Sequence, residues 1–138
     1  MIEKYDIKGD GYNPFLIREG WQVAQLNYVE KHGLDDIDNI EVHKKTDEVF
    51  ILFKGTGVLI AVEKKDNKIN TQVINMKFGV TYNIPAGTWH NIAMDKDASM
   101  FIIEKDNTHL YDCQYIDLSD SEKQDIYKQI KDIVKIAL

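Results

Sequence analysis

Cysteine occurs once in this chain, at Cys113, and proline only twice, at Pro14 and Pro85. One cysteine excludes an internal disulfide framework and fits a reducing compartment. It reads as a small, half-buried side chain, because nothing in the sequence suggests the depressed pKa and neighbouring base that a nucleophile needs. Apolar runs are short and broken by charge, so none spans a membrane. The first residues, Met-Ile-Glu-Lys-Tyr-Asp, have no apolar core and form no secretory signal, so a cytoplasmic location is expected. Positive charge is sparse: 17 Lys and Arg stand against 23 Asp and Glu, a formal net charge of −6, with no basic stripe. Nucleic-acid binding is therefore disfavoured, since phosphates demand clustered cations. A phosphate-cradling Gly-rich loop, a dinucleotide fingerprint and a G-x-S-x-G elbow are also missing, so nothing points to ATP or a nicotinamide. Repeats, low-complexity stretches and Pro/Gly-rich linkers are absent too, and one domain over residues 1–138 is expected.

What the chain does have is alternation. A hydrophobic content of 43% is that of an ordinary globular protein, and from Trp21 to Glu104 its apolar residues recur mostly with period two. Strands are expected near Trp21 to Val29, Ile40 to Lys44, Glu48 to Phe53, Val58 to Glu63 and Ile69 to Met76. Others are expected near Val80 to Ile84, His90 to Met94 and Met100 to Glu104. Many short strands between turn signals argue for an all-β sandwich or barrel. The strand from Glu48 is apolar on both faces, with Glu48, Phe50 and Leu52 on one and Val49, Ile51 and Phe53 on the other. If the first set points inward, the second needs cover from a C-terminal helix, the N-terminal segment or another subunit.

The tail changes period. Ser119 and Glu122 make a capping box, and Ile126, Ile130, Val134 and Ala137 form an apolar stripe flanked by Ile133. This reads as a C-terminal helix over about 120–137, packed on the outside of the barrel rather than on a membrane.

Two stretches carry the chemistry. The first runs Glu41-Val-His43-Lys-Lys-Thr-Asp-Glu48 and on to Gly55; the second runs Gly79 to Pro85-Ala-Gly87-Thr-Trp-His90. Together they resemble the paired signature of the cupin superfamily, H-x-H-x(3,4)-E-x(6)-G followed by G-x(5)-P-x-G-x(2)-H-x(3)-N. Seven positions match in order; Glu41 stands where the first His would be, and Met94 where the final Asn would be. The resemblance covers about Trp21 to Glu104. It implies a double-stranded β-helix, the cupin jelly-roll barrel, and a tendency to form a homodimer.

By the same resemblance, Glu41, His43, Glu48 and His90 meet at one point inside the barrel. Two imidazoles and two carboxylates suit a divalent transition metal, Fe²⁺, Mn²⁺, Ni²⁺ or Zn²⁺. Two carboxylates also cancel the ion's charge, weakening its Lewis acidity relative to a three-His, one-Glu shell. Without metal, the two carboxylates would repel each other, and a poised carboxyl beside a histidine makes an acid/base set. Glu41, His43 and His90 are then the catalytic candidates.

Three functions follow as expectations. One is a metal-dependent enzyme acting on a small polar metabolite. Another is a metal-free isomerase or epimerase on a sugar-like substrate. The third is a non-catalytic module that binds a small molecule or a metal. Trp89 and Tyr82 could line a mouth for a planar or sugar-like ligand, although packing is the more ordinary role. Met94 suggests a greasier pocket wall or simple packing. His109 and His32 read as solvated loop residues. The run from Asp35 to Asn39 lacks the spacing of a calcium loop and reads as a turn.

Overall fold

The structure, a computed structural model, describes residues 1–137, with side chains described through residue 135. In chain order the strands are β1 (Gly11–Arg18), β2 (Trp21–Asn27), β3 (Asn39–Val42), β4 (Glu48–Lys54) and β5 (Gly57–Lys65). They continue as β6 (Lys68–Asn75), β7 (Thr81–Ile84), β8 (Trp89–Met94), β9 (Ser99–Glu104) and β10 (Gln114–Asp117). A 3-10 turn covers Glu30–His32, α1 is the single turn Thr108–Tyr111, and α2 is the helix Asp120–Ala137. Two five-stranded antiparallel sheets face each other: β1-β2-β9-β4-β7 and β10-β3-β8-β5-β6. The all-β jelly-roll expected from the sequence is the architecture found.

Alternation explains the layers. Ala24 and Leu26 on β2, Phe50 and Leu52 on β4, and Met100 and Ile102 on β9 turn inward from the first sheet. They meet Leu59, Ile92 and Met94 from the second. Each large apolar side chain fully buried here contributes about 1.5–3 kcal/mol. Met94 is wholly buried in this packing and does not line the cavity described below, so the packing role is the one it fills. The even-numbered residues of β5 act differently: Val58, Ile60 and Val62 point out of the barrel, where Ile126 and Ile130 of α2 cover them. The helix starts at the capping box, with Ser119 N–H donating to Glu122 Oε1 at 2.8 Å and Glu122 N–H to Ser119 Oγ at 3.2 Å. Ala137, counted in the expected stripe, lies outside the side chains described.

The helix therefore covers the second sheet and not the doubly apolar strand β4, which belongs to the first. On the outer face of β4, Val49 and Ile51 are half-buried and Phe53 is 41% exposed. Phe53 stacks on Phe101 of β9 with ring centroids 4.5 Å apart.

Two strands lie outside the expected set. β1 contains Pro14, and its pairing with β2 shifts register between Pro14 and Leu16, which breaks the period-two pattern. β10 is four residues long, too short for periodicity to register. Both are sheet edges. Gly55 shows why the first motif ends in glycine: it sits at φ +72°, and a Cβ there would meet the Ala98 backbone at 2.5 Å.

Candidate metal centre and cavity

The β3–β4 and β7–β8 connections deliver the four polar side chains. Glu41 lies on β3 directly opposite His90 of β8, and His43 follows one residue beyond the end of β3. Glu48 opens β4 on the same inward parity as Phe50 and Leu52. His90 comes after the Pro85-Ala-Gly87 turn, where Gly87 at φ +84° donates its N–H to the His43 carbonyl at 2.8 Å. Asp47 holds the same turn from outside, accepting from Ala86 N–H at 2.9 Å and from Asn83 Nδ2 at 3.1 Å.

Glu48 is the hub. Its Oε2 lies 3.0 Å from His43 Nε2 and 2.7 Å from His90 Nε2. Glu41 Oε1 stands 3.9 Å from His43 Nε2 and 3.7 Å from His90 Nε2. One ligand atom from each of the four residues lies within 4.8 Å of all the others. His90, His43 and Glu48 are buried, and Glu41 is partly exposed.

Both imidazoles are pinned from behind. His43 Nδ1 lies 2.6 Å from the Asp112 carbonyl, and His90 Nδ1 lies 2.9 Å from the Thr88 carbonyl. A carbonyl can only accept, so each ring holds a proton on Nδ1 and turns Nε2 to the centre; without metal, Nε2 carries a second proton donated to Glu48, and a metal would take that proton's place. That exchange leaves the tautomer and orientation a metal requires, with outer partners that fix the rings. The donor set thus fits a divalent metal with nitrogen and oxygen preferences. Asp112 does more than accept from His43: its carboxylate takes the N–H groups of Lys44 and Lys45 at 3.0 and 2.8 Å.

Electrostatics follow from burial and contact. For Glu48, burial alone would raise the pKa, but hydrogen bonds from His43 and His90 outweigh it and hold the carboxyl below its usual range. For His43, burial opposes charge, while contacts to Cys113 and Glu48 and the Asp112 carbonyl outweigh it and hold the ring's pKa up. His90 is raised in the same way, its burial outweighed by Glu48.

The cavity in front of this cluster has a volume of about 170 Å³ and reveals residues that the sequence pattern did not mark. Cys113 is half-buried, as expected, but it also lines the cavity and donates to Glu41 Oε2 at 3.2 Å. Glu104, the last residue of β9, is 6% exposed, and its Oε2 lies 4.0 Å from His43 Nε2. Its pKa is pushed up to about 7, by burial first and by the nearby Glu48 charge second. Tyr12 from β1 and Gln22 from β2 reach Glu104 from the opposite side. A signal for Glu104 and Gln22 did exist. They share inward parity with Met100 and Ile102, and with Ala24 and Leu26.

Two histidines require correction. His32 is half-buried, with Nδ1 3.1 Å from the Ile92 carbonyl, and it lines the cavity. Burial lowers its pKa. His109 lies on α1 rather than a loop, lines the cavity and approaches Gln22 Nε2 at 3.2 Å. Trp89 and Tyr82 do not line the cavity. Trp89 packs against the core beneath α2, and Tyr82 packs at the edge of the inner core.

No protein-family model matches the chain, and no curated protein matches it. Solved structures do. A cupin protein from Bacteroides fragilis is 17% identical with a TM-score of 0.52, over 75% of this chain and 82% of that one. The Streptomyces protein PAC13, solved as a tyrosine-to-phenylalanine variant with uridine, is 14% identical with a TM-score of 0.56. That match covers 88% of this chain and 98% of PAC13. A Bacillus halodurans protein is 16% identical with a TM-score of 0.53, covering 75% of each chain. At such identities the likeness establishes the fold and no chemistry. The fold is the cupin jelly-roll, and its interior presents a Glu/His cluster with the makings of a metal site.

Proposed function

We propose that this protein binds a divalent transition metal (Fe²⁺, Mn²⁺, Ni²⁺ or Zn²⁺) through Glu41, His43, Glu48 and His90, and acts on a small polar metabolite in the barrel cavity. One observation carries the reading: two buried histidines with Nδ1 tied to backbone carbonyls aim both Nε2 atoms at one shared carboxylate oxygen. A bound metal would supply Lewis acidity toward a substrate oxygen. Within the chain, Glu48 holds the two rings in register. Glu41, the most exposed of the four, would exchange a proton with the substrate where it is not itself a ligand to the metal. The reading includes a cytoplasmic homodimer that covers the outer apolar face of β4.

Metal analysis of protein purified without chelator tests it. Near-stoichiometric transition metal is the expected result. Its clean absence, even after Mn²⁺, Fe²⁺, Ni²⁺ and Zn²⁺ are offered, removes the reading.

A second reading is favoured by Glu104: a metal-free isomerase or epimerase on a sugar-like substrate. A carboxyl whose pKa is pushed up to about 7 stands beside His43 and can exchange a proton near neutral pH. Turnover that survives complete chelation would select this alternative.

A further inference from the structure

Glu104 is held by one oxygen and leaves the other without a partner. Oε1 accepts from the Tyr12 hydroxyl at 2.6 Å and from Gln22 Nε2 at 3.2 Å. Gln22 cannot turn around, because its Oε1 accepts from the Asn107 N–H at 2.8 Å. The Tyr12 proton is directed as well, since Tyr12 Oη itself accepts from Gln22 Nε2 at 2.8 Å. Glu104 is thus fixed through contacts from β1, β2 and the segment after β9. Its Oε2 is buried and, among the described residues, has no hydrogen-bond partner. The side chain is only 3% exposed, and this oxygen lies 4.0 Å from His43 Nε2 at the cavity. A buried polar atom left unpaired has given up its solvation with nothing in exchange. Nothing in the metal-binding reading uses it.

The charge inventory narrows what can meet this oxygen. The cavity wall carries the carboxylates of Asp38, Glu41, Glu48 and Glu104. Apart from histidines, the described cation on that wall is Lys31, which is exposed at the rim. An anionic ligand would bring like charge to Glu104 with no buried Lys or Arg to offset it. A hydroxyl both donates and accepts, so it satisfies Oε2 in either protonation state of the carboxyl.

We propose that Glu104 is the ligand-recognition residue of this cavity, its Oε2 bonding a hydroxyl of a neutral, polyhydroxylated small molecule held against the Glu41–His43–Glu48–His90 cluster. The proposal rests on the reading of that cluster as a small-molecule site, and it names the class of molecule. It also predicts an inversion. In Glu104→Gln, Tyr12 and Gln22 still donate to the inner atom, which must then be the amide oxygen. The amide NH₂ then takes the place of the buried Oε2, a donor where an acceptor had been.

The test uses ribitol and ribonate, a pair that differs by one terminal carboxylate, measured by isothermal titration near pH 8.5. Wild type and Glu104→Gln are compared as purified, with metal content determined on the same samples. The expected result is a ribitol-to-ribonate affinity ratio that falls about tenfold or more in Glu104→Gln, because the new donor favours the carboxylate. Tyr12→Phe, which removes one of the two donors to Oε1, should weaken ribitol several-fold without that reversal. It serves as the second probe if Glu104→Gln melts early. An unchanged ratio, a wild type that rejects ribitol while holding ribonate, or a wild type that takes neither probe at high millimolar concentration overturns the proposal. Failure of the metal reading is distinguishable: samples that hold no metal yet show the swing remove the metal and leave the role of Glu104 standing.

Discussion

Gly87 donates its N–H to the carbonyl of His43 at 2.8 Å, so the turn that delivers His90 is stitched to the strand end that delivers His43. The backbone thereby helps set the spacing of the two imidazoles, 5.4 Å between ring centroids, together with the Glu48 carboxylate that both Nε2 atoms approach. Nothing lies within 4 Å of a Cβ built at Gly87, but its φ of +84° strains any L side chain. Gly87→Ala should lower stability by about 1–2 kcal/mol, read from denaturant midpoints. Its metal affinity should drop further than that modest loss would suggest, because the two rings lose their register.

Asp112 acts on the site through His43. Its carboxylate gathers the N–H groups of Lys44 and Lys45 while its own carbonyl receives the His43 Nδ1 proton. Asp112→Ala frees that loop, and metal affinity measured by titration against a chromophoric chelator should fall about 10–100-fold. The global fold should persist, since Asp112 is peripheral to both cores.

Much of this could be read from the residues alone, and the reason is local. Period-two alternation marked β2 through β9 because each buries one face against the barrel interior, and Ser119 with Glu122 announced α2 through the chemistry of its first turn. Glu41, His43, Glu48 and His90 sit at fixed offsets around turn glycines, so their pattern survives in one dimension. Glu104, Tyr12, Gln22 and Cys113 come from four separate segments. Only the pairing of β1 with β2, β2 with β9, and β10 with β3 brings those segments together. No spacing rule links them. His32 and His109 are hidden in the sequence for the same reason: loop-like neighbours say nothing about which cavity a segment lines.

Glu41→His separates the two roles open to residue 41. As a ligand position, it should retain or tighten divalent metal in a calorimetric titration, since it restores the three-His, one-Glu set. As an acid/base, the same change should abolish turnover while circular dichroism stays native.

The raised pKa of Glu104 predicts a pH dependence of stability in metal-free protein. Its folded value, pushed up to about 7, exceeds its ordinary 4.5, so the folded state binds more protons between those values. Stability from this group is therefore greatest at or below pH 4.5 and declines as pH rises toward 7. Glu104→Gln removes the dependence. The melting temperature of the variant minus that of wild type should climb across this window, and a flat difference would contradict the assignment.

The outer face of the first sheet offers a separate test. Phe53 is 41% exposed and stacked on Phe101, beside half-buried Val49 and Ile51. If a second copy covers this face, Phe53→Glu should shift the protein to monomer in sedimentation velocity without altering metal content. A wild type that sediments as monomer at high micromolar concentration would remove the dimer.

X-ray absorption at the edge of the metal carried by purified protein tests the central claim most directly. Scattering from two imidazoles and additional oxygen donors, with metal–nitrogen distances of about 2.0–2.1 Å if the ion is zinc, is the result expected of Glu41, His43, Glu48 and His90. Oxygen-only scattering, or protein that takes up no transition metal at all, would contradict it.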